Sequence, residues 1–240
     1  GAPASATALT LNAEVTATLD SSNSEQYFKF TPPAGGSYSF ISTNNNSQID
    51  PLSELYEYNG SDLESIGSSD DEADDAYHNF LLIKDLKAGT DYYLKVTEYR
   101  NKDTSFGVKV LRTLDLPLSL EYDSTVYIGS AQTRNLTVSE RHAIPATFRW
   151  YKDAVGGSPI RTDVQTTSSS LTVNGQNISP ASDSHYLCVV FNTANPSSAP
   201  KTLDITVKNG DGVLIMPEFR DRQLIQIYSS NTSTLDVRDN

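Results

Sequence analysis

Apolar and polar residues alternate with a period of two along most of the chain. Phe28 and Phe30 alternate with Lys29 and Thr31, and Tyr38 and Phe40 resume the pattern after Pro32-Pro33-Ala34-Gly35-Gly36. A two-residue period predicts strands with one face on a core and the other toward water. The segment from Leu55 to Tyr58 predicts a strand that stops at Asn59-Gly60, a pair suited to a hairpin turn. Residues 80–83 form a continuous apolar run, as a strand covered on both faces would show. Tyr92, Leu94 and Val96 then alternate with Tyr93, Lys95 and Thr97, and Phe106, Val108 and Val110 close the series. A second series runs through residues 126–128, Leu136 and Val138, Phe148 and Trp150, Leu171 and Val173, residues 186–190, and Leu203, Ile205 and Val207. Helical spacing does not persist beyond a turn or two. The expected fold is all-β, two tandem antiparallel sandwiches, jelly-roll-like and then immunoglobulin-like.

Thr113-Leu114-Asp115-Leu116-Pro117 reads as a short linker and divides the 240 residues into sandwiches at 1–112 and 117–208. Each is of ordinary domain size. Residues 209–240 follow the turn-forming Lys208-Asn209-Gly210-Asp211-Gly212 and hold apolar runs at 213–216 and 224–227. A segment shorter than about 40 residues rarely builds its own core. The tail is therefore expected to pack on the second sandwich, to add edge strands, or to begin a further module or serve a partner.

Charge narrows the partners. Asp and Glu number 30 against 18 Lys and Arg, a net charge of −12. Such a chain repels phosphate backbones and anionic lipid, which argues against nucleic-acid and membrane-surface binding. The sequence has no apolar run long enough for direct membrane insertion. The single cysteine, Cys188, permits neither an internal disulfide nor a multi-cysteine zinc site. The start Ala2-Pro3-Ala4-Ser5-Ala6, the abundance of Ser, Thr and Asn, and 13 Tyr against 8 Phe fit an exported bacterial surface protein whose signal peptide has been removed.

Residues 8–111 resemble the bacterial pre-peptidase C-terminal domain. The matching motifs are Glu25-Gln26-Tyr27-Phe28-Lys29-Phe30-Thr31 with Pro33-Ala34-Gly35-Gly36, then Asp50-Pro51-Leu52 with Leu55-Tyr56, then Ala88-Gly89-Thr90-Asp91-Tyr92-Tyr93-Leu94-Lys95-Val96. The resemblance implies a jelly-roll-like sandwich that accompanies other domains and in some members binds calcium or a matrix protein. It does not imply catalysis. Residues 118–208 resemble an immunoglobulin-like domain. Trp150 matches the tryptophan of the family's third strand, and Tyr186-Leu187-Cys188 matches its tyrosine corner and second cysteine. Ile178 fits the apolar position of the preceding corner. Leu136 and Val138 stand where the first cysteine is expected, and Ser182 where an acidic residue is expected, with Asp183 one place late. The lost disulfide forgoes roughly 2–4 kcal/mol, part of which apolar burial against Cys188 and Trp150 would recover.

Three features carry candidate chemistry. The run Asp70, Asp71, Glu72, Asp74 and Asp75 concentrates carboxylates that repel unless a cation or solvent screens them. Calcium is the ion it would take, with Asp50 and Asp91 approaching from neighbouring loops; the alternative is a solvated acidic loop. Tyr56, Tyr58, Tyr77, Tyr92, Tyr93 and Tyr99 suggest a sugar- or peptide-binding face, against the alternative of half-buried strand tyrosines. His185 and Cys188 are three apart in a strand and so fall on opposite faces, which argues against a catalytic dyad. His78 and His142 lack ligand partners at useful spacing. No nucleophile-elbow, zinc-protease or phosphate-loop motif is present in the sequence.

These readings favour an exported, non-catalytic cell-surface binding or adhesion protein. The partner would be a protein or glycan of a host or matrix surface, met by loops such as 44–48, 68–75 or 156–160. The alternative is an ancillary region of a secreted hydrolase.

Overall fold

A computed structural model describes residues 1–71, 78–100 and 103–211. The chain divides into two compact units, Gly1–Leu118 and Ser119–Asn240. Among the described residues there is no α-helix, and no helix long and apolar enough to cross a membrane. The apolar runs at 213–216 and 224–227, and Glu72, Asp74, Asp75 and Tyr77, lie outside the described residues.

The first unit contains β1 (Thr7–Ala8), β2 (Glu14–Leu19), β3 (Glu25–Phe30), β4 (Gly36–Thr43), β5 (Pro51–Tyr58), β6 (Leu63–Ser69), β7 (Leu81–Leu86), β8 (Tyr92–Glu98) and β9 (Thr104–Arg112). They form a five-stranded sheet, β1-β3-β8-β5-β6, and a four-stranded sheet, β2-β9-β4-β7. Every pairing is antiparallel except β1 with β3. The period-two residues form the core. Phe28, Phe30, Leu55, Leu94 and Val96 of one sheet join Tyr38, Phe40, Phe106, Val108 and Val110 of the other in one buried cluster. Phe30 meets Tyr38 and Phe40 edge to face at 5.2 and 5.9 Å, which links the two sheets. Gly36 and Gly89 carry φ of +148° and +72°, conformations that L side chains rarely adopt, where the chain turns into β4 and toward β8.

Three expectations change in detail. Asn59-Gly60 does mark a hairpin, but Tyr58 pairs with Leu63 across a four-residue loop. Asn59 Oδ1 caps that loop by accepting from the Ser61 and Asp62 N–H groups at 3.0 and 2.8 Å. Within residues 80–83, Phe80, Leu81 and Leu82 are buried but Ile83 is only partly so, because β7 is an edge strand. Thr113–Asp115 forms a 3₁₀ turn whose buried Thr113 hydroxyl contacts the hydroxyls of Ser37 and Ser39, both at 2.9 Å.

The second unit contains β10 (Leu120–Tyr122), β11 (Thr125–Ile128), β12 (Thr133–Glu140), β13 (Ala146–Lys152), β14 (Arg161–Thr166), β15 (Ser168–Asn174), β16 (Ser184–Asn192) and β17 (Lys201–Asn209). A three-stranded sheet, β10-β12-β15, accompanies a five-stranded one, β11-β17-β16-β13-β14. The pairing of β11 with β17 is parallel. Trp150 is fully buried on β13 and pairs in register with Cys188 on β16. Leu136 and Val138, which stand where a disulfide partner is expected, are buried as well, and Tyr186 is 7% exposed. Burial pushes the Cys188 thiol up to about 12. The sequence pattern missed β14, an edge strand of mostly polar residues whose one aliphatic side chain, Val164, is 66% exposed.

Two polar groups organise this second core. The Trp150 indole N–H donates to Ser169 Oγ at 2.7 Å, and Ser169 Oγ donates to Asp163 Oδ2 at 2.6 Å. Arg161 and then Ser169 hold the Asp163 carboxyl below its ordinary range. The buried Glu140 accepts from the backbone N–H groups of Ser119, His142 and Ile144 at 3.1, 2.8 and 2.7 Å, fixing the start of the unit to the β12–β13 loop. Ser169→Ala strips the indole N–H of its acceptor inside the core. It should therefore lower the stability of the second unit by about 1–3 kcal/mol. Urea unfolding followed by the fluorescence of the single Trp150 checks this, and an unchanged midpoint would contradict it.

Candidate functional site

Side chains that alternate with the first core emerge on the outer face of the five-stranded sheet. On β3, Tyr27 and Lys29 lie out of phase with the buried Phe28 and Phe30. On β8, Tyr93 and Lys95 alternate with Tyr92, Leu94 and Val96. On β5, Tyr56 stands opposite Tyr93, and Glu54 opposite Lys95. The result is a layer of rings threaded with paired charges. Lys95 Nζ reaches Glu54 Oε2 at 2.8 Å and the Tyr56 hydroxyl at 3.0 Å, and lies 5.5 Å from the Tyr56 ring centroid. The Tyr56 hydroxyl donates to the same oxygen, Glu54 Oε2, while Ser65 Oγ donates to Glu54 Oε1 at 2.8 Å. Lys29 Nζ pairs with Asp91 Oδ2 at 2.7 Å and lies 5.9 Å from the Tyr93 ring. Tyr58 and Tyr93 meet edge to face at 6.1 Å.

Electrostatics follow from this geometry. Lys95 first, then the Tyr56 hydroxyl and Ser65, lower the Glu54 carboxyl to about 2, and the Lys95 ammonium is raised in return by Glu54. Lys29, then Thr31, lowers Asp91. Partial burial, then Glu25, raises the Tyr27 hydroxyl. Both lysines of the face are paired with carboxylates, so what it offers a ligand is chiefly the partly exposed rings and hydroxyl edges of Tyr27, Tyr56 and Tyr58. A shallow depression lined by Leu52, Ser68, Asp70 and Thr97 shares Glu54 and Lys95 with this layer.

The tyrosines expected to act together divide. Tyr56, Tyr58 and Tyr93 share the face, and Tyr93, expected to face solvent by alternation, is covered to 5% exposure on the central strand. Tyr92 points into the core, its hydroxyl accepting from the Lys87 N–H at 3.0 Å. Tyr99 is 68% exposed beyond the end of β8. Tyr27 was missed, although its phase against Phe28 and Phe30 places it on the outer face.

The carboxylates also divide. Asp50, expected beside the acidic run, does approach Asp71, and one ligand atom each of Asp50, Asp71 and His78 lies within 4.8 Å of the other two. Asp91, expected there as well, is instead held by Lys29 and by Thr31 Oγ1 at 2.6 Å. His78, read as lacking a partner, lies 3.1 Å from Asp71 Oδ1. The strand ends that flank it supply this proximity, and no local spacing encodes it. Loop 44–48 is shaped by Asn44 and Asn46 side chains that accept from the backbone N–H groups of Asn46 and Gln48 at 2.9 and 3.0 Å. In the second unit, loop 156–160 ends at Ile160, whose N–H donates to the Trp150 carbonyl at 2.8 Å. His185 bonds Asp204 at 3.0 Å on the outer face of its sheet, while Cys188 is fully buried on the inner face.

Neither a protein-family model nor a curated protein matches the chain. Solved structures do. The pre-peptidase C-terminal domain of collagenase from Bacillus anthracis is 17% identical, covering 46% of this chain and 98% of its own, with a TM-score of 0.37. CorA, a surface-associated copper-binding protein of Methylomicrobium album BG8, is 10% identical over 44% of this chain and 96% of its own, with a TM-score of 0.36. The two tandem V-type regions of a v-region-containing chitin binding protein are 11% identical over 81% of this chain and 99% of theirs, with a TM-score of 0.28.

Glu54 supplies a pH test. Its folded value, about 2, is below its ordinary 4.5. Its stabilising contribution is therefore complete above about pH 4.5 and is lost as pH falls toward 2. The melting temperature of the first unit should decline across that window, and Glu54→Gln should flatten the decline. Identical acid profiles for the two proteins would show that the ion pair is not formed in solution.

Proposed function

We propose that this chain is an exported, non-catalytic binding protein that takes its ligand on the outer face of the five-stranded sheet of the first unit. The observation that supports this reading is the layer of Tyr27, Tyr56, Tyr58 and Tyr93 around two internally neutralised Lys–carboxylate pairs. Amphipathic rings held on strands give contact area at small entropic cost, because the sheet has already fixed them. A face whose charges are matched favours ligands with flat apolar surfaces and hydroxyl or amide edges. The glycans and extended proteins of a host or matrix surface have that character. Cys188 is fully buried and its thiol is pushed up to about 12, so it stays a neutral, covered thiol and not an exposed nucleophile.

Screening against a glycan and matrix-protein array tests the proposal, with Tyr56→Ala and Tyr58→Ala as companions. Tyrosines central to an interface typically cost over 1 kcal/mol on truncation, so each variant should bind about tenfold more weakly. Both variants should stay folded at the assay temperature, with circular-dichroism spectra like the parent's. Silence across the array, or binding that both variants retain in full, rejects this face as the binding surface.

A further inference from the structure

Asp50, Asp71 and His78 come from three different strand ends. Asp50 immediately precedes β5, Asp71 follows β6, and His78 lies just before β7. Bonds outside the trio hold Asp50 and residues next to the other two. The Asp50 carbonyl accepts from the Tyr99 N–H at 2.9 Å. Ser69 Oγ, at the end of β6, accepts from the Leu81 N–H at 3.1 Å and so ties β6 to the start of β7. Asn79, next to His78, is buried and accepts from Ser42 Oγ and Asn44 Nδ2 at 3.0 and 2.9 Å. The sandwich itself therefore brings two carboxylates and an imidazole together.

We propose that Asp50, Asp71 and His78 form a binding site for a divalent transition-metal ion of the zinc class. The donor set decides between metals. Calcium takes six to eight oxygen ligands, whereas zinc takes imidazole nitrogen and carboxylate oxygen together, in sets of three or four. With bonds of about 2.0–2.2 Å, two ligand atoms on a tetrahedral ion sit about 3.4 Å apart. His78 Nδ1 and Asp71 Oδ1, at 3.1 Å, already have close to that spacing. The Asp50 carboxylate, within 4.8 Å of both, completes the triangle with a small side-chain adjustment. Arg100 Nη2 lies 3.8 Å from Asp50 Oδ2, so an ion bound here competes with the guanidinium for that carboxylate. Among the described residues three ligands meet here, the number that leaves a tetrahedral ion a fourth position for water or a donor atom of a partner. This site differs from the calcium reading of the acidic run because it requires the imidazole.

The test uses the whole chain, stripped of metal. Zinc, calcium and magnesium are titrated separately by calorimetry, and the unfolding of the first unit is followed by circular dichroism. Zinc should bind one to one, and a hundredfold excess over its Kd should raise the melting temperature by about 10 °C or more. His78→Asn suits a position with φ of +55°, which asparagine tolerates. That variant and Asp71→Asn should each weaken zinc binding about tenfold or more while leaving the metal-free melting temperature close to the parent's. Absence of saturable zinc binding, zinc affinity unchanged in both variants, or calcium held as tightly as zinc would each overturn the proposal.

Discussion

The Lys95–Glu54 ion pair carries the main constraint on the first unit. β8 is the central strand of its sheet, so its outward side chains are surrounded by neighbours even though they do not enter the core. A lysine there loses much of its hydration, and an unmatched charge would be costly. Glu54 lies directly across in register and supplies the match at 2.8 Å. Once that pair is in place, Tyr56 can lie against Lys95 and share the carboxylate. Tyr93 packs between Tyr58 and Lys29 in the same layer. The face is thus a second, thinner polar-aromatic layer, built on the sheet by the same alternation that builds the core.

That origin explains what could be read from the sequence. Period two marks which side chains share a face, so Phe28 and Phe30, or Leu94 and Val96, are legible as core from their spacing. By the same count Tyr27, Lys29, Tyr93 and Lys95 belong outside. Spacing does not show which strands are neighbours, and so it could not reveal that Glu54 opposes Lys95 or that Asp91 pairs with Lys29 and not with the acidic run. Tyr92 shows the limit of counting tyrosines by type, since its phase places it with Leu94 in the core. β14 left no trace in the pattern because, at the sheet edge, it places little apolar surface in the core.

The second unit shows the same principle with a different anchor. A tryptophan at Trp150 and a tyrosine two residues before Cys188 were enough to place that core, and Leu136 and Val138 fill the space opposite. What the sequence could not show was the polar line from the Trp150 indole through Ser169 to Asp163 and Arg161. Its members are separated by 2, 6 and 19 positions and come from three strands. A buried indole N–H demands an acceptor, so an acceptor had to exist, but only strand pairing could identify it.

The histidines differ in the same way. His185 finds Asp204 across adjacent strands on an exposed face, an ordinary cross-strand pair. His78 lies seven positions after Asp71 but meets Asp50 from 28 positions away, so the full set depends on the packing of β5, β6 and β7. A local motif search cannot assemble the full set, because Asp50 joins it only through the fold. The donor types set what such a site prefers: two carboxylates and one imidazole favour ions that accept nitrogen and oxygen at short range over larger ions that need a shell of oxygens.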